Sequence, residues 1–293
     1  MRGACQPVPA CLVSLPQLRA AQPPFEATTM DAIAQMKVAA RESWASFIPF
    51  EMLTGSVAPD LVRFAGVRGG QRVLDVGCGT GVVALTAARC GATVTGADLT
   101  PALLEAARHN GTLANVAVEF QEADVEALPF ADASYDVVLS QFGHMFGPRP
   151  GVTTAEMLRV LKPGGVIAFS TWPPELYVGR MFALVGRYSP PMPEGARSPI
   201  EWGHPDIVRE RLGAAVKDLR FDRGCLHFPA LSPAHARGFM ERNAAPVMKV
   251  AQSLAGDAAR LALFRNEFDA LAAQYFHDNI VRQDFLMSRA VKN

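Results

Sequence analysis

Apolar and polar positions along the 293-residue chain change period repeatedly, and the changes mark out its elements. Met30 to Phe50 spaces Ile33, Met36, Val38, Trp44 and Phe47 at helical intervals, and Pro59 to Ala65 offers a second short helix. Arg72 to Val76, apolar after its first residue except for Asp75, reads as a short buried strand, followed by a helix to about residue 90 and a strand from Ala92 to Ala97. Thr100-Pro101 supplies a hydroxyl cap and a proline at the first helical position, opening a helix that Gly111 is expected to stop. Val116 to Phe120 and Ser134 to Ser140 read as the next strands. A helix from Val152 to Leu161 ends at a turn, Lys162-Pro-Gly-Gly165, that launches a strand over Val166 to Thr171. Strands alternating with helices of this length predict an α/β fold: a doubly wound, mostly parallel sheet covered by helices on both faces.

After Thr171 the rhythm changes. Prolines at 173, 174, 190, 191, 193 and 199 divide the chain into loops and short helices, one over Tyr177 to Tyr188 and another from His204-Pro205 to about Leu212. Val216 to Phe228 alternates as a strand, Pro233 to Phe276 is helical with breaks near Pro246 and Gly256, and Phe285 to Val291 is the last strand. The expected division is an N-terminal arm without fixed structure over 1–29, a core over 30–171 that begins with leading helices, and cap insertions plus the last strands of the same sheet over 172–293.

Composition narrows the choice of function. Twenty-eight basic and 28 acidic residues balance, so no basic face offers itself to a nucleic-acid backbone. Although 49% of residues are hydrophobic, no stretch approaches the roughly 18 unbroken apolar residues of a membrane span. Five cysteines, Cys5, Cys11, Cys78, Cys90 and Cys225, include no C-x-x-C pair, which fits neither a disulfide framework nor a zinc cage and points to the cytoplasm. Prolines 7, 9 and 16 interrupt the alanine-rich start where a signal peptide would need an apolar run.

The chemistry gathers at the carboxyl ends of the strands, where open α/β sheets bind ligands. Val73-Leu-Asp-Val-Gly-Cys-Gly-Thr-Gly81 places Asp75 at a strand end and glycines at 77, 79 and 81 in the turn that follows. Such glycines admit positive φ and let a ligand reach the main chain. A dinucleotide fingerprint would put its last glycine at the position held by Val82, which argues against a nicotinamide-dependent dehydrogenase. Asp98 closes the second strand, where one carboxylate accepts both hydroxyls of a ribose or, more plainly, caps the next helix. Asp124, in Glu122-Ala-Asp-Val125, is placed to accept an adenine amino group beside the Val125 N–H, or reads as a solvated loop acid.

Together with Leu128-Pro-Phe130 and Leu161-Lys-Pro-Gly-Gly165, these features closely resemble the class I S-adenosylmethionine-dependent methyltransferase family. The likeness is to its small-molecule branch, which includes the ubiquinone and menaquinone biosynthesis methyltransferases, and it covers about Ser43 to Thr171. It implies a Rossmann-like seven-stranded sheet with an antiparallel last strand, and S-adenosylmethionine as methyl donor with S-adenosylhomocysteine as product. By position it assigns Asp75, Gly77, Cys78, Gly79 and Gly81 to the methionine end, Asp98 to the ribose, and Leu99, Asp124 and Val125 to the adenine, Leu99 reading equally as a core leucine. Gln141 would meet the amino and carboxylate groups of the donor. His144 is a candidate base or a histidine satisfied by a nearby carbonyl.

Trp44, Phe142, Phe146, Trp172 and Trp202 are the candidate walls of an acceptor site, with Tyr177, Phe182, Phe239, Met240 and Met248 as further lid residues and Glu201 and His204 as polar neighbours. The resulting expectation is a metal-free enzyme, a monomer or homodimer, that methylates an O, N or C atom of a small, lipophilic or aromatic acceptor. A non-catalytic S-adenosylmethionine sensor or scaffold and an RNA or protein methyltransferase remain as alternatives.

Overall fold

The structure, a computed structural model, describes residues 31–293; Met30 and the arm expected over 1–29 lie outside the described residues. Five parallel strands form the centre of the sheet: β1 (Arg72–Val76), β2 (Thr93–Asp98), β3 (Glu119–Glu122), β4 (Tyr135–Gln141) and β5 (Leu161–Thr171). Two long strands extend it, β6 (Val216–Pro229) and β8 (Ile280–Lys292), and the two-residue β7 (Phe276–His277) pairs with β8 off the main path. The order is β3-β2-β1-β4-β5-β8-β6, with β8 antiparallel to both of its long neighbours. This is the Rossmann-like sheet the sequence predicts, seven strands along its path with β7 as an addition.

Burial on both faces follows from alternation along the strands. Val73, Val94, Val137, Leu139 and Ala168 join one apolar cluster, with Leu61 and Val62 of α2 (Glu51–Ala65) and Val83, Ala84 and Ala87 of α3 (Val82–Arg89). Their strand neighbours Leu74, Val138, Ile167 and Phe169 turn to the other, with Met157 and Val160 of α5 (Pro150–Val160). Successive strand side chains point to opposite faces, so a strand buried on both sides reads as continuous apolar sequence.

Before the sheet come α1 (Ala32–Ser43) and a 3-10 segment, Trp44–Phe50. Helix α4 (Pro101–Ala114) joins β2 to β3. The later insertions are α6 (Tyr177–Tyr188), α7 (Pro205–Leu212), α8 (Pro233–Asn243), α9 (Ala245–Ser253) and α10 (Ala258–Ala273). Ala32–Asn293 is one compact unit.

Several boundaries differ from the sequence reading. Helix α2 begins eight residues before Pro59 and runs through it, giving up the one backbone bond that proline cannot donate. Gly111 does not stop α4. It is buried within the helix, where a Cβ would come 3.3 Å from the Val116 carbonyl oxygen, and the chain turns instead at Asn115, with φ 52°. Val38 is exposed, because α1 buries only Ile33. The Lys162–Gly165 turn is an irregularity inside β5, which pairs Leu161 with Tyr135 before resuming at Val166. The last strand starts at Ile280, not Phe285, because β6 pairs with it well beyond the end of β5.

Candidate functional site

Two loops cross at the carboxyl edge of β1 and β4, and the crossing depends on glycine. Gly77, Gly79 and Gly81 have φ of 64°, 54° and 82°. A Cβ on Gly77 would lie 2.8 Å from the Cα of Gly143, in the loop after β4. Ser140 pins the crossing: its hydroxyl donates to the Val76 carbonyl at 2.6 Å and accepts the His144 N–H at 2.9 Å. Neither Gly143 nor Ser140 was singled out from the sequence as part of the site. Gly81 has a second reason to be small, since a Cβ there would press on the Phe120 ring at 2.9 Å.

Around Gly77 three adjoining hollows form one cleft, and Gly77 borders all of them. The first, lined by Asp98, Leu99, Asp124 and Val125, lies between the ends of β2 and β3 and helix α1. Asp98 Oδ2 accepts the Gly79 N–H at 2.8 Å and Oδ1 the Thr100 N–H at 2.9 Å, which fixes the carboxylate. Burial raises its pKa, and these hydrogen bonds pull the other way. Asp124 accepts the Glu126 N–H at 2.9 Å and Lys37 Nζ at 2.6 Å, and Lys37 also holds the buried Glu126 carboxylate at 2.6 Å. Lys37 therefore fastens α1 across this part of the cleft, with Arg41 on Glu122 as a second, exposed tie.

The second hollow contains Asp75, Cys78, Gly79, Thr80 and Gln141. Asp75 is 1% exposed; Oδ2 accepts the Ala84 N–H at 3.0 Å, whereas Oδ1 has no hydrogen-bond partner. Burial, reinforced by the nearby Asp98 charge, lifts its pKa to about 8. Burial likewise pushes the Cys78 thiol up. Gln141 donates Nε2 to the Thr54 carbonyl at 2.8 Å and leaves Oε1 without a partner. Two side chains bordering one small hollow, each with a buried oxygen lacking a partner, suit a ligand that donates hydrogen bonds.

The third hollow is the largest, about 1020 Å³ including its open mouth. Trp44, Phe47 and Phe50 of the 3-10 segment, Phe142, Phe146 and Trp172 from the sheet edge, Met181 and Phe182 of α6, Met240 of α8 and Val247 of α9 enclose it. Phe142 stacks on Trp172 with centroids 3.9 Å apart, and Trp44 meets Phe146 at 4.5 Å. Phe142 adopts φ 61°, unusual for a bulky residue, and thereby stands in the wall of the chamber.

Some candidates stand elsewhere. His144 does not line the cleft: its ring is fully buried against Phe169 and Trp202, with centroids 4.5 and 4.7 Å away, and neither nitrogen has a hydrogen-bond partner. Desolvation holds its pKa down at about 3, so it is a neutral core side chain rather than a base within reach of a ligand. Trp202 is withdrawn from the acceptor walls for the same reason: it is 2% exposed and lies under the Arg211 guanidinium at 4.4 Å. Glu201 pairs with Arg211 at 2.5 Å, and His204 is exposed at the start of α7. Tyr177 is buried and Phe239 packs edge-on against Phe50; neither they nor Met248 line the chamber. Among the described residues no cluster of three or more His, Cys, Asp or Glu is arranged to hold a metal ion, and no helix is long and apolar enough to cross a membrane.

Residues 74–169 match the model of a methyltransferase domain. An uncharacterized protein of Mycobacterium tuberculosis is 35% identical over 243 residues, 83% of this chain and 89% of that one. The ubiquinone biosynthesis O-methyltransferase of Hahella chejuensis is 37% identical over 169 residues, 55% of this chain and 69% of the relative. Among solved structures, the Bacillus subtilis YcgJ protein shares the fold, with a TM-score of 0.53 at 20% identity over 81% of this chain and 98% of that one.

Proposed function

Because the chain belongs to the class I S-adenosylmethionine-dependent methyltransferase family, we propose that it transfers a methyl group from S-adenosylmethionine to an O, N or C atom of a predominantly apolar small molecule held in the large chamber. The observation that carries this reading is the contiguity at Gly77: two hollows bordered by fixed carboxylates adjoin a larger, apolar chamber.

The residues present fit the donor. Asp98 is held by two backbone amides with lone pairs to spare for ribose hydroxyls. Leu99, Asp124 and Val125 would bound the adenine. Asp75 and Gln141, each with an oxygen lacking a partner, would receive the amino group at the methionine end, against the Gly77–Gly81 turn. When bound, S-adenosylmethionine supplies a methyl group already activated by its sulfonium.

What the chain then contributes is placement and exclusion of water. The aromatic walls desolvate the acceptor, and holding it in a reactive orientation replaces the entropy cost of a two-body encounter. The only ionisable side chain on the chamber wall among the described residues is Asp98, which already holds two amides. An acceptor atom that is nucleophilic without a strong base suits these surroundings. The apolar lining and the zero formal charge favour a small molecule over nucleic acid.

Calorimetry with S-adenosylhomocysteine and, separately, NAD tests the donor: binding of the first alone is expected, and failure of both removes the enzyme reading. A screen of metabolite extract with methyl-labelled donor then tests the acceptor, with label expected in an extractable small molecule. Label confined to macromolecules would overturn that assignment.

A further inference from the structure

One polar side chain in the chamber has nothing to do. Besides its two indoles, the lining includes four polar side chains: Thr54, Asp98, Gln141 and Gln283. Thr54 donates to the Phe50 carbonyl at 3.0 Å, Asp98 accepts two amides, and Gln141 donates to Thr54. Gln283, 5% exposed, makes no side-chain hydrogen bond among the described residues. Its place in the sheet explains how it reaches the chamber. Leu286 of β8 pairs with Thr171, the last residue of β5, so residues 280–285 run on past the carboxyl edge paired only with β6 and β7. On this overhang Val281, Gln283 and Phe285 share the inner face, and Leu226, opposite Gln283, lines the same chamber.

The Gln283 amide is not among the fully enclosed unpaired groups, so it keeps its surface toward the chamber it lines, where only solvent or a ligand can answer it. Between Val281 and Phe285 a leucine or methionine would suit the packing. The amide offers one acceptor and two donors and carries no charge. No Lys, Arg or His lines the chamber among the described residues, so an anionic head group would be buried without a counter-charge.

We infer that Gln283 is a specificity-determining residue that hydrogen-bonds a hydroxyl or carbonyl group of a neutral, otherwise apolar acceptor and so fixes its orientation in the chamber. Calling that ligand the acceptor rests on the methyltransferase reading; the binding site itself does not.

The test uses the full chain, with and without saturating S-adenosylhomocysteine, titrated in a calorimeter with 1-naphthol, naphthalene and 1-naphthoate. Wild-type protein should bind 1-naphthol at least tenfold more tightly than either relative, because a site built to bond a hydroxyl rejects the analogue lacking it. Gln283→Leu should bring 1-naphthol to within twofold of naphthalene while leaving S-adenosylhomocysteine affinity unchanged. Gln283→Met repeats the measurement should the leucine variant fold poorly. A 1-naphthol preference that survives in the folded variants, or no preference in wild type, overturns the proposal. Failure of S-adenosylhomocysteine to bind would instead sink the donor reading, and the titrations without it would still decide the role of Gln283.

Discussion

Replacing His144 with phenylalanine tests the claim that this imidazole belongs to the core. Its two nitrogens are buried without hydrogen-bond partners, and the ring already packs against Phe169 and Trp202. Phenylalanine keeps the aromatic packing and removes the desolvated nitrogens, so the variant should be about 1–3 kcal/mol more stable at pH 7.5. A second signature comes from linkage. The folded-state pKa is lowered from 6.5 to about 3, so the unfolded chain takes up a proton at this site as pH falls below 6.5 while the folded chain does not. The stability His144 permits is therefore complete above 6.5 and lost progressively toward 3. At about 1.36 kcal/mol per pH unit, wild type should lose about 2 kcal/mol between pH 7.5 and pH 5 through this residue alone. Asp75, its pKa raised, works in the opposite sense across about 3.8 to 8, favouring the folded state at low pH, but it is common to both proteins and cancels in the comparison. Urea melts of the two proteins at both pH values measure the difference. A stability gap that does not widen by about 2 kcal/mol at pH 5, or a variant less stable throughout, would refute the neutral buried imidazole.

Asp98→Ala should weaken S-adenosylhomocysteine binding by roughly 1–3 kcal/mol in calorimetry, the scale of hydrogen bonds to a charged group, and an unchanged affinity would remove it from the ribose site. Gly77→Ala forces a positive φ on a residue with a Cβ, costing about 1–2 kcal/mol, and sets that carbon 2.8 Å from Gly143; thermal stability and ligand affinity should fall together, and a variant matching wild type in both would contradict the loop crossing. With its pKa near 8, Asp75 is mostly protonated at pH 7, and a ligand ammonium prefers the carboxylate. S-adenosylhomocysteine affinity should therefore rise from pH 6 toward 8 with release of a proton, and Asp75→Asn should flatten that dependence in calorimetry run in buffers of different ionisation enthalpy.

Strands β1 and β4 were legible because strands buried on both faces are largely apolar, and the glycine turn and strand-end acids fall at intervals set by the βαβ repeat. By contrast β3, read over Val116 to Phe120, is the polar edge segment Glu119–Glu122, which has no apolar run to mark it. Individual side chains were legible only while the backbone stayed regular. After β4 the sequence identified Phe142, His144 and Phe146 as a chemically rich segment, but Phe142 takes φ 61° and a 3-10 turn follows. Alternation stops there, so position along the segment no longer tells which ring meets the cleft and which enters the core. The same limit hid Gln283. Arg282-Gln283-Asp284 reads as three polar residues in a row, with nothing local to mark the middle one as inward. Only its pairing with Leu226, in a ribbon running past the end of β5, turns it inward and leaves Arg282 exposed on the other face. The candidate donor residues lie on turns whose geometry is written locally, and the aromatic candidates Trp44, Phe142, Phe146 and Trp172 do line the chamber, whereas Gln283 depends on how a distant ribbon runs past the sheet edge and emerges only from its contacts.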